Sequence, residues 1–363
     1  MERIKNLQYI KMKILITGVG GPTPRSFAIS LKKHSFYKHF ELIATDINPL
    51  AIGLYQSELF SKSYIVPLAT SSDYWDSIEK IIEENQIQYA VILPELEVME
   101  WSKRKESHKL PCKVLLPDHS IAKLLVDKSK MTEILNELDI VPPSVSFVRD
   151  ENNLNSIFQI LGNDFWVRSS SGTSGLGSLK IDSLDSLKNW IQINPNVKDF
   201  LASKYLPGRN LACKLLYYDG ELIRSACGER VNYIMSKVAP SGITGNTSFG
   251  RLLNEPELVD KAILAMEKMF EVAKAKKHGF YTVDFKEDEN GKPYITEINV
   301  RHVAFTQCFA AAGANFAEDT IRLLDDDEEF DKSYKMYEFE KDLIFLRDVD
   351  NPPILMKESE LLK

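Results

Sequence analysis

The feature that most constrains the fold is a predicted β-hairpin between Phe280 and Val303. Its two arms are rich in aromatic and β-branched residues, and they flank Asn290-Gly291, the dipeptide that best suits a two-residue type I′ turn. A tight turn centred on that dipeptide places Asp284 directly opposite Glu297. The sequence therefore predicts two carboxylates that face each other across neighbouring strands.

We expect this face of the hairpin to bind a metal ion. Asn299 and Arg301 share the face of Asp284 and Glu297, because side chains alternate along a strand. Like charges placed about 5 Å apart across two strands are destabilising. Asp284, Glu297 and Asn299 are therefore candidate ligands of magnesium or manganese, which prefer hard oxygen donors. The alternative is that these are ordinary solvated acids. The predicted site also depends on the strand register, because a slip of one residue would turn the two carboxylates to opposite faces.

The size and composition of the chain are those of a globular protein with two or three domains. It has 363 residues, of which 44% are hydrophobic and 27% are charged, and its net charge is −7. The negative charge argues against a nucleic-acid partner. Four widely spaced cysteines indicate reduced thiols. Neither a signal-peptide core nor an apolar run of membrane-spanning length is visible, so we expect a cytoplasmic protein without a membrane partner.

The N-terminal part is expected to form a parallel, doubly wound sheet with helices on its faces. A strand at Lys13–Thr17 leads into Gly18-Val19-Gly20-Gly21, then into a helix and a second strand that ends before Asp46. The glycine loop has two interpretations. It is either a nicotinamide-dinucleotide site or a tight turn that simply needs small residues. The tight turn is favoured, because Thr23 stands where the dinucleotide fingerprint requires glycine.

Two glutamates follow the strand that ends at Leu93. Glu95 and Glu97 lie where the carboxyl ends of parallel strands form a crevice, so either could face a substrate. The equally weighted alternative is that both are surface carboxylates. Glu95 is the one taken as a candidate substrate residue.

A loop rich in serine and glycine, residues 169–178, follows a strand that ends at Arg168. Backbone N–H groups of such a loop can surround an anion, although the loop lacks the Gly-Lys-Ser/Thr ending of a Walker loop. The alternative is an exposed hairpin tip. Arg168 favours phosphate, because its guanidinium group matches phosphate oxygens.

These motifs, taken in order, resemble the ATP-grasp superfamily, and most of all its carboxylate–amine ligases related to the carbamoyl-phosphate synthetase large subunit. They are Lys128 near a helix start, Arg168 with its loop, the strand that ends at Leu206, Asp284, and the Glu297-x-Asn299-x-Arg301 segment. The resemblance implies a mixed α/β and α+β protein with a Rossmann-like pre-ATP-grasp domain at residues 12–117. It further implies an ATP-grasp module at 118–325, with a lid-bearing part at 118–206 and a metal-binding part at 207–325. The composition turns acidic from Asp325, which indicates a C-terminal appendage at 326–363.

The same resemblance implies a ligase that uses ATP and one or two Mg²⁺ (or Mn²⁺) ions to join a small carboxylic acid to an amine. A homodimer is left open. The residues implied to bind ATP are Lys128, Arg168, Ser169, Ser170, Gly172, Ser174, Gly175, Gly177, Lys204, Tyr205, Leu206 and Asn210. Arg168 and Arg301 are implied to be catalytic. The residues implied to meet the substrate are Arg230, Gly242 and Thr244, beside Glu95.

Two other functions stay open. An NAD-dependent oxidoreductase would use the glycine loop and Asp46 of the N-terminal domain. A non-catalytic nucleotide-binding module would explain Asn210, which stands where ATP-grasp enzymes usually place a glutamate that holds the ribose. Asparagine still accepts a hydrogen bond, but it provides no charge to strengthen it.

Overall fold

The computed structural model describes residues 12–37, 39–150, 153–171, 178–234, 236–237, 239, 241–242, 245–348 and 362. The chain divides into two compact units. The first comprises Met1–Leu116, Arg301–Lys332 and Asn351–Lys363, and the second comprises Pro117–Val300 and Ser333–Asp350. None of the helices in the described part of the chain is long and apolar enough to cross a membrane.

The first unit begins with alternating strands and helices. These are β1 (Met12–Thr17), α1 (Pro22–His34), β2 (Phe40–Asp46), β3 (Lys62–Ile65), α2 (Tyr74–Asn85), β4 (Tyr89–Val91), α3 (Glu95–Ser107) and β5 (Lys113–Val114). The strands form one sheet in the order β3-β2-β1-β4-β5, and each neighbouring pair is parallel. The predicted parallel sheet is therefore present. The central strands β1, β2 and β4 are mostly buried because helices cover the sheet.

The second unit opens with helices and a four-stranded sheet. Its elements are α4 (His119–Val126), α5 (Lys128–Leu135), β6 (Ser144–Val148), α6 (Asn155–Leu161), β7 (Phe165–Ser169), β8 (Leu179–Ile181), α7 (Leu184–Ile193) and β9 (Asp199–Lys204). The strands pair antiparallel in the order β6-β9-β7-β8. Aromatic and aliphatic side chains from this sheet and from α6 and α7 form a separate core cluster.

A larger antiparallel sheet carries the predicted hairpin. Its elements are β10 (Asn210–Tyr218), β11 (Glu221–Tyr233), β12 (Thr247–Leu253), α8 (Pro256–Ala273), β13 (Gly279–Glu287) and β14 (Pro293–Asn299). The strand order is β14-β13-β10-β11-β12, followed by a short strand from the C-terminal segment. The hairpin β13–β14 therefore forms one edge of the sheet.

The chain after Val300 differs from the division predicted from the sequence. It contains α9 (Thr306–Ala311), α10 (Phe316–Leu324), β15 (Lys335–Met336) and β16 (Ile344–Leu346). Ala317, Ile321 and Leu324 of α10 belong to the hydrophobic core of the first unit, so residues 301–332 group with that unit and not with the 118–325 module. Residues 333–348 are no separate appendage either, because β15 pairs with β11 and β16 pairs with β12.

The hairpin has the predicted pairing of Asp284 with Glu297, but not the predicted turn. Near the turn, Glu287 pairs with Pro293 and the Asp288 N–H donates to the Lys292 carbonyl, so three residues form the loop. Gly291 has a positive φ of 81° there, as three-residue hairpin loops require. A β-bulge between Asp284 and Phe285 on one strand and Thr296 on the other then shifts the register by one residue. The turn prediction is wrong by one residue, and the bulge compensates for it.

Candidate functional site

The two predicted carboxylates lie opposite each other on one face of the hairpin. Asp284 is the register partner of Glu297, and Asn299 donates from Nδ2 to Asp284 Oδ2 at 3.1 Å. The side chains of Asp284 and Glu297 are 13% and 27% exposed, so both are mostly removed from water but still reach the surface. The structure therefore brings the three predicted metal ligands together.

Three basic side chains surround this acidic pair. Arg230 on β11 forms an ion pair with Asp284, with 2.5 Å between Nη2 and Oδ1. Lys128 lies 3.2 Å from Glu297, measured between Nζ and Oε1. Arg168 on β7 contributes a third positive charge that acts on both acids. We call these five residues, Lys128, Arg168, Arg230, Asp284 and Glu297, the charge cluster.

The bulge in the hairpin also positions Arg168. A bulged residue is left out of the regular ladder, and Thr296 accordingly offers its carbonyl oxygen to Arg168 Nη2. The Thr296 hydroxyl donates to the Asp284 carbonyl at 3.2 Å. One irregularity thus sets the pairing of the acids and anchors the arginine that lies beside them.

Lys128 is held at the start of a helix. Asp127 caps α5 by accepting the Lys130 N–H at 3.1 Å, which makes Lys128 the first helical residue. Its own N–H donates to the Ser170 carbonyl at 2.9 Å, and Ser129 and Ser170 share a hydrogen bond of 2.8 Å between their hydroxyl oxygens. These bonds join the helix start to the residue that follows β7, so Lys128 and Arg168 keep a fixed spacing.

The two acids of the cluster have pKa values that move in opposite directions. Burial raises the pKa of Asp284 to about 6, against the opposing effect of Arg230 and with a further increase from Glu297. Burial would also raise the pKa of Glu297, but Lys128 and then Arg168 outweigh it, and the pKa falls below its ordinary value. Divergent pKa values in a pair of close carboxyls are typical of functional sites.

The cluster has a buried donor that no described residue satisfies. Arg168 Nε is buried and has no hydrogen-bond partner within the described ranges. Burial lowers the pKa of Arg168, and Glu297 and Asp284 only partly oppose this. Because an unmade hydrogen bond of a charged group costs free energy, an anionic ligand at this position would stabilise the site.

Sequence reasoning missed a further basic residue, Lys214. It lies on β10 opposite Thr282, on the same face as Asp284, and its side chain is fully buried. Its charge lowers the pKa of Asp284. A single lysine inside the apolar run Leu211–Tyr218 was the signal that could have identified it.

The other residues implied to bind ATP lie along two strand ends. Ser169 ends β7 and Ser170 follows it, whereas Gly172, Ser174, Gly175 and Gly177 lie outside the described residues. Lys204 ends β9, where its N–H donates to the Pro143 carbonyl and its Nζ lies 3.4 Å from Glu289. Lys180 lies over the ring of Tyr205, 4.5 Å from its centroid, and Leu206 is buried. Asn210 begins β10, between Arg230 and Lys286.

The residues implied to meet the substrate belong to both units. Arg230 belongs to the charge cluster, so the structure brings it to the candidate metal ligands. Gly242 has a positive φ of 71° in the loop before β12, and Thr244 lies outside the described residues. Glu95 is the first residue of α3 in the first unit. Arg301 follows β14, and its Nη1 donates to the His302 carbonyl at 3.1 Å.

The glycine loop after β1 uses its backbone N–H groups internally. The Gly18 and Val19 N–H groups donate to the Thr45 carbonyl, and the Gly21 N–H donates to the Gly18 carbonyl. The Gly20 N–H donates to Asp46 Oδ2 at 2.7 Å. A dinucleotide pyrophosphate would need these donors. The geometry therefore favours the tight-turn interpretation over the nicotinamide site.

Comparison with solved structures shows which fold this is. N5-carboxyaminoimidazole synthetase from Staphylococcus aureus, complexed with ADP, aligns with a TM-score of 0.66 at 16% identity over 88% of this chain and 79% of its own. The chain has the ATP-grasp fold. The resemblance seen in the sequence is thus confirmed at the level of the fold.

Two further enzymes share the ATP-grasp fold with this chain. L-amino acid ligase from Bacillus licheniformis aligns with a TM-score of 0.60 at 14% identity, over 86% of this chain and 74% of its own. A third structure is the biotin carboxylase domain of Hydrogenobacter thermophilus 2-oxoglutarate carboxylase, in complex with MgADP and bicarbonate. It aligns with a TM-score of 0.64 at 15% identity, over 86% of this chain and 69% of its own. No family model and no curated protein matches the sequence.

The donor set of the hairpin fits a hard divalent cation. Within the described residues, no group of three or more His, Cys, Asp or Glu side chains could hold a metal ion. The candidate ligands are instead two carboxylates and the Asn299 amide, which leaves coordination positions for ligand oxygens. Asn299 donates to Asp284 here, and rotation of its amide would present the oxygen in place of the nitrogen.

Proposed function

We propose that this protein is an ATP- and Mg²⁺-dependent ligase that activates a small carboxylic acid as an acyl phosphate and joins it to an amine or similar nucleophile. The observation that carries the proposal is the charge cluster. Two facing carboxylates with divergent pKa values lie among three cations, one of which has a buried N–H group without a partner among the described residues. The ATP-grasp fold supports the same assignment.

The chemistry requires positioning and charge neutralisation. A carboxylate is a poor electrophile until it is phosphorylated, and negative charge spreads over the transferred phosphoryl group during that step. Asp284, Glu297 and Asn299 would hold the magnesium, which supplies charge neutralisation at the phosphate oxygens. Lys128 and Arg168 would bind the same phosphates through charge-assisted hydrogen bonds, and Arg301 would stabilise the acyl-phosphate group.

The remaining residues would bind the nucleotide and exclude water. Lys204, Tyr205 and Leu206 would contact the adenine, and Asn210 would accept a hydrogen bond from the ribose. Residues 169–178 would cover the phosphates, which protects an acyl phosphate from hydrolysis. Gly242, Thr244 and Glu95 remain candidate substrate contacts.

The proposal is tested by substrate-dependent ADP release from the full chain, with a panel of small carboxylic acids and amines. We expect ADP release that requires both an acid and an amine. The double variant Asp284→Asn/Glu297→Gln keeps the side-chain volumes but removes both charges, and it should lower turnover about a hundredfold or more.

Glu229→Gln is the matched control. Glu229 is also buried and ion-paired, with Arg251 at 2.8 Å, but it points from β11 to the face opposite Arg230. Its turnover should equal that of the wild type. Full activity of the double variant would overturn the proposal.

The non-catalytic alternative has one observation in its favour, which is Asn210 at the position usually held by the ribose glutamate. It predicts tight Mg·ATP binding without ADP release for every acid and amine tested. The oxidoreductase alternative predicts that the chain binds NADH in a fluorescence titration. It has no such support, because the glycine-loop N–H groups are already engaged.

A further inference from the structure

A second polar site lies in the first unit, at the carboxyl edge of the parallel sheet. The strand order β3-β2-β1-β4-β5 reverses direction between β1 and β4, and open α/β sheets bind ligands at such a switch point. Thr17 is the last residue of β1, and Glu97 lies in the first turn of α3, just after β4. The Glu97 side chain hydrogen-bonds to Thr17, so the carboxyl lies at this switch point.

The capping role that is usual for a glutamate at this position does not explain the burial of Glu97. It occupies the third position of α3, where a glutamate usually accepts a hydrogen bond from the N–H of the N-cap residue. The N-cap here is Pro94, which has no N–H. Glu97 is only 5% exposed, forms no ion pair with any described residue, and its Oε2 has no hydrogen-bond partner among those residues.

The surroundings of Glu97 include a second acid and a buried hydroxyl group without a described hydrogen-bond partner. Thr45 pairs with Thr17 across β1 and β2, and its buried Oγ1 also has no partner in the described part of the chain. Burial, and then the charge of Asp46, raises the pKa of Glu97 to about 7. An unsatisfied buried polar atom costs about 1–3 kcal/mol, and proteins usually retain such a cost where a ligand removes it.

The chemistry of the site selects the kind of ligand. An anion is disfavoured, because the glycine-loop N–H groups are engaged and the charge that acts on Glu97 is that of another acid, Asp46. Arg25, at the start of α1, donates to the Gly21 carbonyl of the loop. A protonated amine supplies both the hydrogen-bond donors and the positive charge that Glu97 lacks. We propose that the β1–β4 switch point binds the protonated amino group of a small ligand, with Glu97 as its counter-charge.

This inference deepens the proposed function, and it rests on that function only for the statement that the ligand is one of the two substrates. The substrate class is then an amino acid or another amine-bearing acid. Under this assignment the structure selects Glu97, and not Glu95, as the residue of α3 that recognises the ligand.

The test measures binding to the full chain without ATP or magnesium, so that its failure is distinct from a failure of ligase activity. Each common amino acid is compared with the 2-hydroxy acid of the same side chain by calorimetry. We expect at least one amino acid to bind at least about tenfold more tightly than its hydroxy analogue. This is the size of one charge-assisted hydrogen bond.

Variants on the same helix complete the test. Glu97→Gln should weaken binding of that amino acid about tenfold or more, while Glu100→Gln, one turn further along α3, should leave it unchanged. Amino acids that bind no better than their hydroxy analogues would overturn the inference, as would undiminished binding by Glu97→Gln. The comparison of wild-type ligand pairs remains decisive even if a variant fails to fold.

Discussion

The two units differ in what lies beside their buried carboxyl groups Asp284, Glu297 and Glu97. In the second unit, Asp284 and Glu297 are each paired with a cation, Arg230 and Lys128 respectively. In the first unit, Glu97 is buried with one hydroxyl partner and without an ion pair among the described residues. In both units, burial raises the pKa of a carboxyl group, to about 6 at Asp284 and to about 7 at Glu97.

The difference lies in what a ligand would have to supply. The charge cluster contains three cations and two acids, and so carries a net positive charge that suits a polyanion with its metal ion. At the switch point, the charge that acts on Glu97 within the described part of the chain is that of another acid, Asp46. The same physical cost, a carboxyl removed from water, therefore predicts an anionic ligand in one unit and a cationic ligand in the other.

The largest expected effect comes from removal of the cation that compensates Asp284. Arg230→Met leaves Asp284 buried beside Glu297 without its ion-pair partner, and we expect a loss of about 3–5 kcal/mol in the free energy of unfolding. The loss should be greatest above pH 6, where Asp284 would have to stay ionised. Urea unfolding at pH 5 and pH 8 measures it.

Arg251→Met provides the control for this substitution. Arg251 on β12 forms an ion pair with Glu229 on β11, but its side chain is 43% exposed. Because Arg251 reaches water while Glu229 is buried, we expect its removal to cost less than that of Arg230, on the order of 1–2 kcal/mol. Equal losses for the two variants would show that the charge cluster has no special dependence on Arg230.

The sequence predicted the pairing at the centre of the cluster but not its cause. Alternation along the strands placed Asp284, Glu297 and Asn299 on one face, and they lie there. The dipeptide Asn290-Gly291 predicted a two-residue turn, which is one residue too short. Asp288 accepts hydrogen bonds from the N–H groups of Asn290 and Lys292 and so closes a three-residue loop. The bulge at Thr296 that restores the register has no local sequence signal, since it depends on contacts with β7.

Long-range contacts account for the other differences. Lys128 and Arg168 were identified from a helix start and a strand end, but their contacts with β14 join residues more than a hundred positions apart and could not be inferred from spacing. Glu95 and Glu97 were indistinguishable in the sequence, because only the helix start at Pro94 decides which side chain turns toward Thr17.

In the first unit, the burial of Glu97 should make the stability of the fold depend on pH. The pKa of Glu97, about 7, lies above the ordinary value of 4.5, so the folded state binds this proton more tightly than the unfolded state. Below about pH 4.5 the ionisation of Glu97 therefore does not affect the free energy of unfolding. Between about pH 4.5 and pH 7 it lowers this free energy progressively, and above pH 7 the loss stays constant.

Glu97→Gln should remove this dependence. The gain in unfolding free energy over the wild type should grow with pH to a value on the order of 3 kcal/mol at pH 8. Thr17 and Asp46 act on Glu97, and Glu97 in turn acts on Tyr74; all three residues are unchanged in the variant. Denaturant titrations from pH 4 to pH 8 measure the difference, with Glu100→Gln as the control. A difference that does not vary with pH would contradict it.

The smallest effect compares one threonine from each unit. Thr45 Oγ1 is buried without a partner among the described residues, whereas Thr296 Oγ1 donates to the Asp284 carbonyl at 3.2 Å. Replacement by valine keeps the shape and removes the hydroxyl. Thr45→Val should therefore stabilise the ligand-free protein by about 1 kcal/mol, because an unsatisfied hydroxyl is lost. Thr296→Val should destabilise it by about 1 kcal/mol, because a hydrogen bond in the bulge is lost. Thermal unfolding of both variants in one buffer decides the matter. Changes of the same sign would mean that the Thr45 hydroxyl has a hydrogen-bond partner, as the Thr296 hydroxyl has. That result would remove one reason to expect a ligand at the switch point.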